Sequence, residues 1–227
     1  MKISHDLSQL QWSLIGTTPY AWLLSGAPAR IEEDSTVEQD MIPAAVPGSV
    51  QQALKDAGVL PDWNSGLDAR SCEWVENRHW IFQVRLPQEW IHPGKTYRLV
   101  AAGLDDRGWV YVNGAEAGKF KTTHLPYAFD LTPHLQSGDN LLQIIFDVPP
   151  RWLGQFGFTS QMTDWKARFY FTWDWVSRIV QIGIWDTIVL EESDGAEILN
   201  LKVHTNADPT RKLGFLEVRG SASGSPG

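Results

Sequence analysis

The sequence contains one cysteine, Cys72, so no disulfide can form within the chain. It has no run of basic residues either, since 19 Lys and Arg stand against 27 Asp and Glu, a formal net charge of −8 at pH 7. We therefore expect neither nucleic acid nor a membrane surface as a partner. No apolar stretch approaches the roughly 18 residues of a membrane-spanning helix, and residues 1–11 lack a basic-then-apolar leader pattern. These absences predict a cytoplasmic protein.

Metal and cofactor motifs are lacking as well. The six histidines are scattered, with no HxxxH or HExxH spacing and no second cysteine beside them. No Ser-His-Asp elbow, phosphate-binding loop or dinucleotide fingerprint is present. The stretch Gly103-Leu104-Asp105-Asp106 fits either a calcium-binding loop or the end of a strand. We expect no metal and no cofactor.

Tryptophan, in contrast, is plentiful. The chain has 12, and five of them lie between Trp152 and Trp185. In the run Phe169–Trp175, one carboxylate, Asp174, stands between two indoles. Aromatic residues close together in sequence usually belong to a core, but indole faces also stack on the C–H faces of sugars, and an ionised carboxylate accepts hydrogen bonds from two hydroxyls. The density of tryptophan here favours a carbohydrate-contacting surface.

Most of the chain has the pattern of short strands joined by turns. Residues 79–86 alternate apolar and polar side chains, which predicts a strand with one buried face. Asn113-Gly114 is typical of a two-residue hairpin turn. Further strands are predicted over residues 97–104, 109–112, 129–131, 141–148 and 186–190. One short helix is predicted between an N-cap at Ser49 and Gly58. Strands at this spacing indicate a β-sandwich.

A new pattern starts after residue 194. Residues 198–205 and 213–220 predict two further strands. Two strands cannot form a stable domain alone. We therefore expect one sandwich over residues 1–194 and the incomplete start of a second unit over residues 195–227.

Several motifs, taken in order, resemble one known family. They are Val46-Pro47-Gly48-Ser49-Val50, residues 57–62, Trp74-Val75-Glu76, Gly103-Leu104-Asp105, residues 110–114 and 126–132, and Phe171-Thr172-Trp173-Asp174-Trp175 with Arg178 and Gly183-Ile184-Trp185. Together they span about residues 10 to 192 and are similar to the start of the β-mannosidase-like branch of glycoside hydrolase family 2. The run around Asp174 is the most specific of them.

The resemblance implies an all-β fold: a jelly-roll, galactose-binding-like sandwich with one short helix, followed by the first strands of a truncated immunoglobulin-like sandwich. It implies that the chain is the N-terminal part of a retaining exo-glycosidase that hydrolyses terminal β-mannosides. Both catalytic glutamates of such an enzyme lie in a downstream TIM barrel, so no catalytic residue is expected in this chain. The implied partners are a terminal non-reducing sugar and the downstream immunoglobulin-like and barrel domains of the same polypeptide.

The resemblance also implies site residues. Trp173 is expected to form a stacking wall, and Asp174 to accept hydrogen bonds from sugar hydroxyls. Trp175 is expected to support them by packing into the sandwich, because neighbours on an extended segment point in opposite directions. Arg178 either pairs with Asp174 and orients it, or is solvated. Val176 and Ser177 stand where the family usually has glycine and proline.

Two other functions compete with an enzyme domain. A jelly-roll of this type also occurs as a free-standing carbohydrate-binding module, and a sandwich can be purely structural. The strands after residue 195 favour the enzyme domain over an independent module. The enzyme domain and the purely structural sandwich differ in one respect: Asp174 faces a sugar only in the enzyme domain.

Overall fold

The computed structural model describes residues 2–24, 37–151, 160, 165–171, 174, 176–195 and 197–223. The strands are β1 Lys2–Asp6, β2 Trp12–Thr17, β3 Val37–Ala44, β4 Gly48–Ser49, β5 His79–Leu86, β6 Thr96–Ala101, β7 Leu104–Asp105, β8 Gly108–Val112, β9 Ala115–Phe120, β10 Tyr127–Asp130, β11 Asn140–Phe146, β12 Gly183–Ile184, β13 Ile188–Ser193, β14 Glu197–Asp208 and β15 Leu213–Ser223. The α-helix α1 is Val50–Asp56, and 3₁₀ helices occupy Leu7–Gln9, Ala21–Leu23, Asp68–Asn77, Gln88–Trp90, Thr132–His134 and Arg168–Tyr170. No helix in the described part of the chain is long and apolar enough to span a membrane.

Two antiparallel sheets face each other. One has the strand order β3-β2-β5-β11-β8-β9 and the other β1-β13-β6-β10. Side chains from both sheets fill the space between them, including Phe82 and Phe146 from the first and Leu99 and Leu190 from the second. The expected all-β sandwich is confirmed.

The central strand β5 is buried on both faces, so the predicted single buried face is wrong. Phe82 faces the core between the sheets, while Ile81 packs in a second cluster on the outer side. Trp22, which follows β2, covers that outer side, and its indole N–H donates to His79 Nδ1 at 2.8 Å. Because an indole nitrogen only donates, His79 carries its proton on Nε2 and donates it to Asp147 Oδ1 at 3.0 Å. His79 is thus fully buried on this face with a hydrogen-bond partner at each ring nitrogen.

The predicted helix and hairpin turn form where the sequence places them. Ser49 caps α1, since its Oγ accepts a hydrogen bond from the backbone N–H of Gln52 at 3.1 Å. Gly58 follows the helix with a φ of 74°. Between β8 and β9, Asn113 and Gly114 have φ values of 52° and 82°, as a type I′ turn requires.

A small three-stranded sheet, β4-β12-β7, links the start of α1 to the region of Trp185. Gly183 in β12 pairs with Ser49 on one side and Asp105 on the other. A Cβ atom on Gly183 would lie 2.3 Å from the carbonyl oxygen of Gly48, and the φ of Gly183 is 157°. Only glycine allows the two strands to approach this closely.

The strands after residue 195 form a separate two-stranded sheet, β14-β15. Both strands are present, as predicted, and both are longer than expected. Their large apolar side chains are exposed: Ile198, Leu201, Val203, Leu213, Phe215, Leu216 and Val218. The division of the chain at residue 194 stays a prediction.

Candidate functional site

Of the four residues predicted for the site, the structure describes two. Asp174 is exposed and lies in a turn. Trp173 and Trp175 lie outside the described residues, so their predicted roles stay predictions. Arg178 is half-buried, and it does not pair with Asp174.

Arg178 pairs instead with Glu76, from the 3₁₀ helix Asp68–Asn77. Its two terminal nitrogens donate to the two carboxylate oxygens of Glu76 at 2.6 and 2.7 Å, which is the bidentate geometry of a strong charge-assisted pair. These hydrogen bonds to Glu76 raise the pKa of Arg178 above its ordinary value. Both predicted alternatives for Arg178 are therefore corrected: the side chain is neither on Asp174 nor simply solvated. The pair with Glu76 is favoured because two charge-assisted hydrogen bonds to a carboxylate that is only 12% exposed outweigh the side-chain entropy that Arg178 loses.

Hydrogen bonds to backbone carbonyls hold the same stretch of chain against α1. Gln51 donates from Nε2 to the carbonyl oxygen of Val180 at 2.7 Å, and the backbone N–H of Val50 donates to Ile182 at 2.8 Å. Val180 is buried beside Phe171 in a small apolar cluster. The chain on the C-terminal side of Asp174 is thus fastened to the helix N-terminus.

On the N-terminal side of Asp174, Lys166 makes a second attachment. Its side chain is 0% exposed, and its Nζ lies 2.5 Å from Asp105 Oδ1. Thr123 donates from Oγ1 to the same carboxylate oxygen at 2.6 Å. Asp105 is therefore engaged by a lysine and a threonine, and the calcium-loop interpretation of residues 103–106 finds no support. In the described part of the chain, no group of three or more His, Cys, Asp or Glu is placed to hold a metal ion.

Asp106, next to Asp105, is also buried. Burial raises the pKa of Asp106, and the positive charges of Lys166 and Arg107 oppose that rise. Arg107 reaches Asp106 Oδ2 from two nitrogens, both at 3.4 Å. Two buried carboxylates and two cations therefore lie close to each other here, and one of the cations, Lys166, belongs to the chain segment that carries Asp174.

Exposed aromatic side chains accompany this chain segment. Trp165, Phe169 and Trp185 are each about half exposed, at 52%, 55% and 51%. Trp185 lies against Gly103, where a Cβ atom would stand 2.4 Å from the indole ring. It borders a cleft of about 310 Å³ at the three-stranded sheet, which is also lined by Ser49, Gln52, Asp105 and Gln181. Aromatic faces and amide side chains at an open surface are suited to a polar ligand with apolar faces. Among the described residues that line the cleft, no nucleophile is paired with a base.

Three functional candidates were not predicted from the sequence: Glu76, Asp105 as an anchor, and Lys166. Glu76 and Asp105 do stand in the motifs that carry the family resemblance, and this is the signal that points to them. Lys166 has no such signal, because a single lysine beside a tryptophan gives no indication that it is buried.

A model of the glycosyl hydrolase 2 galactose-binding domain-like family matches residues 30–186. The chain belongs to this family. The resemblance predicted from the sequence motifs, including its β-mannosidase-like branch, is confirmed.

Several relatives of this chain are named beta-mannosidase B. Beta-mannosidase B of Emericella nidulans is 28% identical over 160 residues, which are 64% of this chain and 19% of that protein. Beta-mannosidase B of Neosartorya fischeri is 26% identical over 223 residues, which are 89% of this chain and 26% of that protein. Among solved structures, a beta-D-mannosidase from Dictyoglomus thermophilum superposes with a TM-score of 0.68 at 21% identity, over 91% of this chain and 24% of that one. The chain spans a fifth to a quarter of the length of these relatives.

Proposed function

We propose that this chain is the N-terminal sugar-contacting and structural domain of a retaining exo-glycosidase that hydrolyses terminal β-mannosides. Trp173 forms the stacking wall for the terminal sugar, and Asp174 accepts hydrogen bonds from its hydroxyls. Membership of the family and the names of the relatives support the glycosidase part of the proposal. The fold and the exposure of Asp174 support its sugar-contacting part.

One observation carries the assignment of Asp174. Arg178, four residues further along the chain, forms its ion pair with Glu76 and not with Asp174. Asp174 is exposed and, among the described residues, makes no hydrogen bond or ion pair. An ionised carboxylate in that position has all its acceptor capacity available to a ligand. Because the chain is attached to the sandwich on both sides, the carboxylate is presented from a fixed support.

The chain contributes binding and orientation, and the chemistry belongs to other parts of the polypeptide. Retaining hydrolysis needs a nucleophilic carboxylate and an acid/base carboxylate flanking the glycosidic bond. We assign both to a downstream barrel domain. Holding the terminal sugar against Trp173 and Asp174 limits its orientation before reaction, and such positioning supplies a large part of an enzymatic rate enhancement.

The substitution Asp174→Asn in the complete polypeptide tests the proposal. We expect kcat/KM for a nitrophenyl β-mannoside to fall on the order of 10²-fold, because a hydrogen bond to a charged acceptor contributes about 1.5–3 kcal/mol. The Tm should stay nearly unchanged, since Asp174 has no partner among the described residues to lose. A matched control is Asp139→Asn, an exposed aspartate directly before β11 whose ion-pair contact with the exposed Arg85 is long, at 4.0 Å, and which should change neither quantity.

Two results would contradict the proposal. A large drop in Tm with unchanged kinetics would make Asp174 a structural residue. Sustained hydrolysis of the nitrophenyl β-mannoside by the isolated 227-residue chain would place catalytic groups within it. We expect the isolated chain to be inactive.

A further inference from the structure

Lys166 is an unusual residue for a surface loop, because none of its side chain is exposed. Removing an ammonium group from water is costly unless opposite charges and hydrogen bonds replace the water. Leucine or methionine would fill the same space without that cost. The retention of a charged group at this position therefore requires an explanation other than packing.

The partners of Lys166 give a directional attachment. Asp105 Oδ1 accepts from Lys166 Nζ at 2.5 Å and from Thr123 Oγ1 at 2.6 Å, so the carboxylate oxygen is itself held in place. The ammonium group also lies 5.2 Å from the centre of the Tyr170 ring, within the range of a cation–π interaction. Asp105 belongs to β7 and Thr123 to the connection between β9 and β10, whereas Tyr170 lies four residues after Lys166 on the same segment. One buried ammonium thus links this segment to two elements of the sandwich.

An apolar contact at this point would allow the segment to slide, because dispersion contacts are not directional. The buried ammonium of Lys166, in contrast, has to stay within hydrogen-bonding distance of Asp105, because moving away would leave an unpaired charge in the interior. Together with the pair between Arg178 and Glu76, the pair between Lys166 and Asp105 fixes the chain before and after Asp174.

We propose that Lys166, through its buried pair with Asp105, is a positioning residue that sets where Asp174 is presented to the sugar. Lys166 does not touch the substrate in this proposal. Its kinetic consequence rests on the proposed function, whereas its effect on the segment does not.

Hydrogen exchange in the complete polypeptide tests the positioning. The double substitution Lys166→Met with Asp105→Asn removes both charges, keeps a long unbranched side chain, and leaves Thr123 an acceptor. We expect amides in peptides that cover residues 167–171 and 176–178 to exchange about 10-fold faster or more, while those of β5 and β11 stay unchanged. The control removes a less buried ion pair of the four-stranded sheet by Arg98→Met with Glu191→Gln, and it should leave the exchange of residues 167–171 and 176–178 unchanged.

Exchange of these amides within about two-fold of the parent in the folded double variant overturns the proposal. If that variant is not recovered folded, Thr123→Val decides, since it removes one donor to Asp105 and leaves the ion pair. We expect about three-fold faster exchange of the same amides in Thr123→Val, and no change there overturns the proposal as well.

A double-mutant cycle separates positioning from general structural support. The Lys166→Met, Asp105→Asn variant should lower kcat/KM for a nitrophenyl β-mannoside about 10-fold. Once Asp174 is already replaced by asparagine, the same change should lower it by less than about two-fold, because the contact it positions is gone. Fully additive losses overturn the proposal.

If Asp174→Asn alone leaves kcat/KM unchanged, the proposed sugar contact fails, and the exchange experiment still decides whether Lys166 fixes the segment.

Discussion

The sandwich and the hairpin β14-β15 are built from the same kind of strand, but they differ in what covers their apolar side chains. In the sandwich, Phe82 is 0% exposed and lies between two sheets. In the hairpin, Phe215 is 56% exposed, and neighbouring apolar side chains are exposed with it. Alternating apolar residues therefore predict a strand in both regions, yet only in the sandwich does the described structure supply the partner surface that makes the alternation stabilising.

The largest expected difference between the two regions is in the free energy of unfolding. Phe82→Ala should destabilise this chain by about 3–5 kcal/mol, because it leaves a cavity in a packed core. The matched change Phe215→Ala should alter stability by less than about 0.5 kcal/mol, since its ring is mostly in water already. Urea denaturation followed by tryptophan fluorescence measures both. Equal costs would show that the hairpin is packed as tightly as the sandwich.

The hairpin and the sandwich should also differ in how fast a protease cuts them. Arg211 and Lys212 lie at the exposed turn of the hairpin, whereas Arg85 lies within a central strand of the sandwich. We expect trypsin to cut at Arg211 or Lys212 roughly 100-fold faster than at Arg85, a ratio equivalent to about 3 kcal/mol of opening free energy. A time course analysed by mass spectrometry gives the order of cutting. Early cleavage at Arg85 would contradict the assignment of the sandwich as the more stable region.

Glycine substitutions compare the two regions at the level of the backbone. Gly183→Ala should cost about 1–3 kcal/mol, because the new methyl group meets the carbonyl oxygen of Gly48 at a positive φ. Gly214→Ala in the hairpin has no atom within 4 Å of the new methyl group, so the change should be neutral or slightly stabilising. Thermal unfolding of both variants is the measurement. A neutral Gly183→Ala would mean that β4 and β12 separate easily.

The sequence was a good guide to features that depend on neighbouring residues. The cap at Ser49 and the turn at Asn113-Gly114 are decided within four residues, and both formed as predicted. The burial of both faces of β5 was not predictable, because it depends on Trp22 folding back over the sheet.

The attachments of the candidate site are still less local. Arg178 and Glu76 are 102 residues apart, and Lys166 and Asp105 are 61 apart. A single sequence contains no physical signal for such a pairing, since 19 basic and 27 acidic residues offer many alternatives. The family motifs identified the region of Asp174, and only the fold shows what holds it.

The smallest expected effect concerns the buried carboxylate of Asp106, a group with no counterpart among the described side chains of the hairpin. Burial raises the pKa of Asp106 in the folded chain. The folded state therefore binds the proton of Asp106 more tightly than the unfolded state, and the group destabilises the fold increasingly as pH rises through the folded-state pKa. Asp106→Asn should consequently raise the Tm at pH 7. The gain should shrink as the pH is lowered and disappear below the ordinary pKa of aspartate, about 3.9.

Glu191 and Glu217 have different surroundings from Asp106 and should respond differently to pH. Burial alone would raise the pKa of Glu191, but hydrogen bonds from Lys2 and Arg98 hold it below its ordinary value, so Glu191→Gln should lower the Tm at pH 7. That loss should vanish as the pH falls through the folded-state pKa of Glu191, which is the opposite sign to Asp106. Glu217→Gln, in the exposed hairpin, should change the Tm little at any pH, because screened surface pairs contribute little. Scanning calorimetry from pH 3 to 7 records all three. A lower Tm of Asp106→Asn at pH 7 would contradict this prediction. It would mean that the attraction of the Asp106 carboxylate to Arg107 and Lys166 stabilises the fold by more than the burial of that carboxylate destabilises it.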